Sequence, residues 1–151
     1  MTDTDMAGQL REIVRLMERK LGILEDGELA CCGLTLSQCH ALVEIGRAGS
    51  LSLNELAKLL TLDNSTMSRT VNNLVNRKMA KRELDPNDRR YVTIQLTAAG
   101  KKLFTGIEEN MERCYLQVTR AIPEDKREQV LNSLQILLNA FSGTECCLAK
   151  D

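Results

Sequence analysis

The sequence is poor in residues that interrupt helices and in large aromatic side chains. Its 151 residues include two Pro, two Phe, two Tyr and no Trp. With so few aromatic residues, the core must be built mainly from Leu, Val, Ile, Met and Ala, which supply most of the 43% hydrophobic fraction. This composition predicts a helix-rich chain that forms one domain with a moderate core or one protomer of an intertwined dimer.

Other absences bear on where the protein acts. No segment approaches the ~20 consecutive apolar residues of a membrane-spanning helix. The N-terminal segment carries Asp3 and Asp5 where a targeting peptide has a basic stretch followed by an apolar one. We therefore expect a cytoplasmic protein with no membrane partner. Its six cysteines are then expected to be reduced thiols or ligands, not a disulfide framework.

A catalytic role has little support in the sequence. The chain has one histidine, no Cys-x-x-Cys motif and no glycine-rich phosphate loop. This leaves a weak basis for acid–base or nucleophilic chemistry. We therefore predict that the protein is not an enzyme and that it requires no cofactor.

Positive charge is concentrated in one part of the chain. The formal net charge of −1 is unfavourable for binding nucleic acid, but the distribution of charge matters more than its sum. Residues 64–102 contain nine Lys and Arg against three acids, a local balance of +6. This stretch is the candidate for contact with a polyanion.

The chain is organised around residues 51–96, which begin with two helix signals. Ser52 and Glu55 form a capping box for a short helix, and Asp63 is suited to cap the next helix and to match the positive end of its dipole. In this second helix, apolar residues recur at the spacing of a buried stripe: Met67, Val71, Leu74 and Val75. The polar side chains between them are therefore expected to face outward.

Two strand patterns follow the second helix. The segments AKREL and YVTIQL flank a turn, Asp85 to Arg90, that carries two adjacent cations. A helix, a turn, a second helix and two strands predict a winged helix-turn-helix, a shape that enters DNA grooves. The alternative for the turn is a solvated hairpin that touches nothing. The predicted fold class is mainly α with a small β wing.

These residues resemble those of the MarR family of winged-helix regulators. The resemblance rests on the segments LSLNELAKLLTLDNSTMSRTVNNLVNRK and DPNDRRYVTIQLTAAGKKL and on the flanking helices. It implies a dimeric regulator, in most members a repressor, that binds double-stranded palindromic operator DNA. It also implies that Arg90 reaches into the minor groove and that Asp88 helps to hold the loop.

Candidate DNA contacts fall into three groups. Base contacts are expected from the first turns of the second helix, since Asn and Arg can pair with purine edges and Ser and Thr suit bases or phosphates: Ser65, Thr66, Ser68, Arg69 and Asn72. The outward face of the same helix adds Asn73 and Arg77. Phosphate contacts, or simply solvated groups, are Ser52, Lys81, Arg89 and Lys102.

The remaining segments predict a dimerisation region. Amphipathic helices are expected from Met6 to about Leu24, from Thr97 to about Ala121, and after Pro123, with a loop over residues 25–33. Another helix, with Ser37 as its cap and Gly46 and Gly49 at its end, opens the DNA-binding region. We therefore assign residues 6–33 and 97–145 to dimerisation and 34–96 to DNA binding. The alternative is a monomeric helical bundle.

Thiols are the unusual feature of the sequence. The vicinal pairs Cys31-Cys32 and Cys146-Cys147 can each bind one soft ion or trivalent arsenic. Cys39 and Cys114 lie on apolar stripes, so each can instead be a small buried hydrophobic residue. The second pair lies in a terminal tail.

The layout of the first pair followed by Cys39-His40 resembles that of zinc-responsive MarR members. Those proteins place further ligands on the long fifth helix, where this chain has Glu108, Glu112 and Cys114 in place of the expected histidines. The candidate effector site accordingly comprises Cys31, Cys32, Cys39, His40, Glu112, Cys114, Cys146 and Cys147.

Three models for the effector stay open. Thiolates bind zinc, copper(I) or arsenite; oxidation links cysteines; or a small apolar or phenolic ligand fills the cleft between the dimerisation and DNA-binding regions. In each model the effector must favour one spacing of the two DNA-binding regions over another. Two other functions compete with an effector-responsive regulator, namely a cytosolic thiol or metal-handling protein and an architectural DNA-binding protein without a sensor.

Overall fold

A computed structural model describes the backbone of residues 1–144 and the side chains of residues 1–22 and 33–144. Six helices are present in this part of the chain: α1 (Asp3–Cys32), α2 (Leu36–Ala48), α3 (Leu53–Leu60), α4 (Asn64–Asn76), α5 (Ala98–Ala121) and α6 (Arg127–Gly143). Three strands accompany them: β1 (Leu51–Ser52), β2 (Ala80–Leu84) and β3 (Val92–Leu96). The prediction of a mainly α fold with a small β wing is confirmed.

The strands form one antiparallel sheet in the order β1-β3-β2. In its register Ala80 lies opposite Leu96 and Arg82 lies opposite Ile94. The two-residue strand β1 pairs with β3 and is not predicted by the sequence, because two residues are too few to show the alternation of a strand. Both β1 and β2 are edge strands.

The core lies where α2, α3, α4 and the sheet meet. Its largest fully buried side chains are Leu42, Ile45, Leu56, Met67, Val71, Leu74 and Ile94. Leu42, Leu56, Met67, Val71 and Leu74 come from the helical spacings expected in the sequence, and Ile94 lies on β3. The expected spacings differ at two places: Ile45 is buried and Val43 half-buried on α2, and Thr70 is buried and Val75 half-buried on α4. Thr70 tolerates burial because its hydroxyl donates to the Thr66 carbonyl at 3.0 Å.

The loop expected over residues 25–33 is wrong, because α1 continues to Cys32. This segment holds one interior glycine, Gly27, among Glu, Leu and Ala. A single helical glycine costs only about 1 kcal/mol, which the good helix formers around it offset. The break comes at Gly33, whose φ of +67° is open to glycine at low cost.

The start and end expected for the helix that opens the DNA-binding region, α2, are also corrected. Thr35, not Ser37, caps α2: its Oγ1 accepts from the Gln38 amide, and the Gln38 side chain accepts from the Thr35 amide, both at 3.3 Å. Gly46 is interior to α2, which ends at Ala48 with Gly49 as its cap. Gly46 is needed inside the helix because a Cβ there would lie 2.6 Å from the Phe104 ring of α5.

The start of α5 is attached to the segment between α4 and β2. The Thr97 hydroxyl accepts from the Gly100 amide at 3.1 Å, which confirms Thr97 as the cap, and donates to the Lys78 carbonyl at 2.6 Å. A Cβ on Gly100 would lie 1.9 Å from the Met79 carbonyl oxygen. The absence of a side chain at Gly100 therefore lets α5 begin directly against the end of the helix-turn-helix.

The chain divides into two compact units, residues 1–108 and the part that starts at Glu109. In the second unit Pro123 and a 3₁₀ turn, Glu124–Lys126, separate α5 from α6. The Arg127 guanidinium closes this connection by donating to the Thr119 and Ile122 carbonyls, both at 3.1 Å. Across the described part of the chain, no helix combines the length and the apolar character needed to span a bilayer.

Replacing Gly100 by Ala tests the junction. We expect Gly100→Ala to lower the free energy of unfolding by about 3 kcal/mol, because the new methyl overlaps a backbone carbonyl that cannot move alone. Gly106→Ala is the matched control in the same helix, since a methyl added there would have nothing within 4 Å. It should stabilise by about 0.5–1 kcal/mol. Urea denaturation measures both changes, and equal effects would contradict the proposed fit.

Candidate nucleic-acid interface

Capping side chains set the ends of the two helices of the helix-turn-helix. The Ser52 hydroxyl accepts from the Glu55 amide at 3.2 Å, and the Glu55 carboxylate accepts from the Ser52 amide at 2.8 Å. At the start of α4 the Asp63 carboxylate accepts from the Thr66 amide at 2.7 Å and from the Thr66 hydroxyl at 2.8 Å. Both predicted caps are confirmed.

The turn between α3 and α4 passes through a strained residue. Thr61 has φ 53° and ψ 44°, a left-handed conformation that is costly for a β-branched side chain. Hydrogen bonds from the Thr61 amide to the Lys58 carbonyl and from the Leu62 amide to the Ala57 carbonyl, at 3.3 and 3.0 Å, close α3 at this point. The turn brings Asp63 into place to start α4.

One side of α4 presents polar side chains to solvent. The exposed members recur at helical spacing and form what we call the α4 polar face: Ser65, Arg69, Asn72, Asn73 and Asn76. The opposite side is buried through Met67, Val71 and Leu74. Because of this division, the helix can approach DNA through only one side.

Ser68 and Thr66, which are predicted to contact bases, are less exposed to solvent than the α4 polar face. Ser68 is half-buried. The Thr66 hydroxyl is half-buried and gives its proton to Asp63, so it retains only acceptor capacity. Since phosphates and the purine O6 and N7 atoms need donors, the hydroxyl proton of Thr66 serves the cap.

Arg77 and Asn72 also have partners within the chain. The Arg77 guanidinium donates to the Gly33 carbonyl at 2.5 Å, across 44 residues of sequence. Asn72 Oδ1 accepts a hydrogen bond from the guanidinium of Arg82 on β2. The DNA-contact roles of these residues stay predictions, but their side chains connect α4 to neighbouring segments.

The wing is held by its acidic residues. Asp85 Oδ1 accepts from the Asn87 amide at 2.8 Å, and the Asp85 amide donates to the Tyr91 carbonyl at 2.8 Å. Asp88 accepts from the Arg90 amide and guanidinium at 2.8–3.1 Å. Although paired, the Arg90 side chain is 85% exposed at the wing tip, and Arg89 beside it is exposed as well.

The acids that organise this surface have altered pKa values. Hydrogen bonds from Thr66 lower the pKa of Asp63 below its ordinary 3.8. The Arg90 guanidinium, and then the Arg90 amide, lower the pKa of Asp88, and Asp88 in turn raises the pKa of Arg90. All three groups therefore stay charged at neutral pH.

Arg82, a neighbour of the α4 polar face, is absent from the predicted DNA contacts. Arg82 contributes to the charge of the region but has no predicted role, although the alternation Ala80, Arg82 along β2 places it on the face of the sheet that packs on the helices. Asn76 extends the polar face by one turn, and its spacing from Asn72 and Asn73 could have indicated this.

The predicted effector residues are only partly described. Cys146 and Cys147 lie outside the described residues, as do the side chains of Cys31 and Cys32. Cys39 is buried on α2 beside exposed His40, while half-buried Cys114 and exposed Glu112 lie on α5. Glu108 pairs with Arg47 of α2 at 3.1 Å. Among the side chains that are described, no three His, Cys, Asp or Glu groups could hold a metal ion.

Comparisons with known proteins agree with this geometry. A model of the MarR family matches residues 33–90. The chain is 26% identical to YfiV of Bacillus subtilis, an uncharacterised HTH-type transcriptional regulator, over 93% of this chain and 89% of that protein. It is 29% identical to the multiple antibiotic resistance protein MarR of Escherichia coli, over 60% of this chain and 63% of that protein.

Solved structures give the same result for the fold. The S. aureus MepR–DNA complex aligns with a TM-score of 0.71 and 25% identity over 86% of this chain and 96% of that chain. A MarR family protein from Bacillus stearothermophilus aligns with a TM-score of 0.82 and 19% identity over 94% of this chain and 99% of that chain. At that identity the second comparison shows the fold alone.

The cap at Asp63 generates a pH-dependent prediction. Because its pKa is lowered in the folded state, ionised Asp63 stabilises the fold above the ordinary pKa, and this contribution is lost as pH falls through the folded pKa. Asp63→Asn should therefore be less stable than the wild type at pH 7, with the difference shrinking as the pH falls below the ordinary pKa of 3.8 and through the lowered pKa of folded Asp63. Urea denaturation over a series of pH values measures this, and a pH-independent difference would contradict it.

Proposed function

From the match of residues 33–90 to the MarR family, we propose that the chain belongs to this family of winged-helix regulators and that it is a transcriptional regulator that binds specific sequences of double-stranded DNA. The observation that carries the proposal is the α4 polar face, set by the buried stripe behind it and followed in the chain by a wing with an exposed Arg90. The relative MepR has been solved in complex with DNA, which supports the same use here. The relatives are regulators and not enzymes, which favours a non-catalytic role.

Charge supports DNA as the partner. The local balance of +6 over residues 64–102 covers α4 and the wing, and Lys81 and Arg89 on this stretch are exposed. Phosphate contacts by such cations release counterions and supply most of the non-specific affinity for DNA. The polar face would then supply base contacts in the major groove.

We further propose that two copies form the DNA-binding species. On α6 large apolar side chains remain exposed in the single chain, with Leu131 at 65%, Ile136 at 71% and Leu138 at 59%. The apolar side chains of α1 are exposed as well, among them Leu10, Ile13, Met17 and Leu21. Burying each such side chain contributes about 1.5–3 kcal/mol. A twofold pair would present two α4 helices to successive major grooves of a palindromic operator.

The direction of regulation and the effector stay predictions. The sequence favours a repressor modulated by a thiol-reactive, metal or metalloid effector, with a small apolar or phenolic ligand as the alternative. The described part of the chain supplies buried Cys39 and half-buried Cys114, which fit small core residues as well as a sensor. DNA binding by the regulator does not depend on which of these models holds.

Replacing Arg90 tests the wing. Arg90→Ala should weaken binding to the duplex that the wild type selects from a random pool by on the order of tenfold at 0.1 M salt. It should also lower the slope of log affinity against log salt by about 1, since one counterion fewer is released. Fluorescence anisotropy titrations at several salt concentrations measure both values. Lys126→Ala, which removes an exposed cation beyond α5, is the control, and an unchanged slope for Arg90→Ala would exclude Arg90 from the interface.

Replacing Leu138 tests the dimer. Leu138→Lys should shift the protein to a monomer at micromolar concentration and weaken operator binding with it, because a charge cannot be buried in an apolar interface without a large cost. Asn132→Lys adds the same charge at an exposed polar position of α6 and should leave the assembly intact. Sedimentation velocity distinguishes the two states. A wild type that is monomeric, or a dimer unaffected by Leu138→Lys, would contradict this interface.

A further inference from the structure

Arg82 lies on the edge strand of the wing, on the side of the sheet that faces the helices. Cross-strand partners share a face. The partner of Arg82 is Ile94, which is buried, as are Ala80 and Leu96, the next pair on the same face. The alternating residues Lys81 and Glu83 point to the other face, where they pair at 2.6 Å. Arg82 is therefore aimed toward α4, although the residue as a whole is exposed at the margin of the sheet.

The Arg82 guanidinium determines how the Asn72 amide is oriented. It donates from Nη2 to Oδ1 of Asn72. A guanidinium has donors and no acceptor, so it can bind only the carbonyl end of the amide. The two protons on Nδ2 of Asn72 are thus turned away from Arg82, on an exposed position of the α4 polar face.

The orientation of this amide decides which purine it can read. An Asn reads adenine by two hydrogen bonds, accepting from N6 and donating to N7, whereas guanine offers two acceptors, O6 and N7. With Oδ1 of Asn72 turned toward Arg82 and one of its two lone pairs occupied, the amide presents its Nδ2 protons outward, which suits the acceptors of guanine better than the mixed edge of adenine. We propose that Arg82 is a specificity-determining residue whose contact with Asn72 selects guanine over adenine at one position of each half-site, an inference that rests on the proposed function.

The test is selection of duplexes from a random pool, followed by sequencing, with the wild type and three variants. The wild type should enrich guanine at the position whose base preference Asn72→Ala relaxes. Arg82→Met keeps the apolar stem but frees Oδ1, so the ratio of guanine to adenine there should fall roughly tenfold. Lys81→Met removes the neighbouring cation from the other face and should lower the salt slope while leaving this ratio unchanged.

A further variant tests the orientation while keeping Arg82. Asn72→Asp retains an acceptor for the guanidinium but removes the amide donors, so guanine should be lost at that position. Cytosine, whose N4 donates, should replace it. Circular dichroism melts establish that each variant is folded. The base preference of Asn72→Asp tests the inference even if Arg82→Met does not fold.

Three outcomes would overturn the inference. The first is a wild-type preference for adenine at the position that Asn72→Ala relaxes. The second is Arg82→Met that binds all sequences more weakly with the base ratio unchanged, which would make Arg82 a phosphate contact. The third is Asn72→Asp that still selects guanine. If the wild type enriches no sequence at all, the proposed function fails together with the inference. Any of the three outcomes above overturns the inference alone and leaves the proposed function standing.

Discussion

The surface that meets DNA depends on the burial of one side of α4. Met67, Val71 and Leu74 are completely buried among α2, α3 and the sheet, and no rotation of the helix can keep them covered while turning another side outward. Core packing therefore sets the direction of the polar side chains, Arg69 and Asn72 among them. The hydrogen bonds at Asp63 determine where the helix begins, so the register of the polar face along the groove is set as well.

A second constraint relates the wing to this helix. The Met79 carbonyl accepts from the Thr97 amide at 3.0 Å, and the bare Gly100 backbone lies against it. Since Met79 directly precedes β2 and Thr97 directly follows β3, both ends of the wing hairpin meet at one point beside α4. Arg82, which contacts Asn72 of α4, lies on the same hairpin. Wing and helix thus form one surface, and a change in one side chain can alter what the other presents.

Local signals in the sequence predict much of this arrangement. The caps at Ser52 and Asp63 involve side chains three residues apart, and the buried stripe of α4 follows from helical spacing alone. The contact between Arg77 and Gly33 spans 44 residues, so no local pattern could indicate it. The hydroxyl of Thr66 serves a cap although its position suggests a base contact, because residue type and spacing do not show where a hydroxyl proton goes. The loop expected before Gly33 is wrong because one glycine weighs less than the helix formers around it.

The central claim is that two copies of α4 and the wing read one symmetric duplex. Hydroxyl-radical footprinting of the duplex that the chain selects from a random pool tests this most directly. We expect two protected stretches whose centres are about 10 bp apart, related by a twofold axis. Protection of a single half-site, or protection that does not depend on the sequence of the duplex, would contradict it.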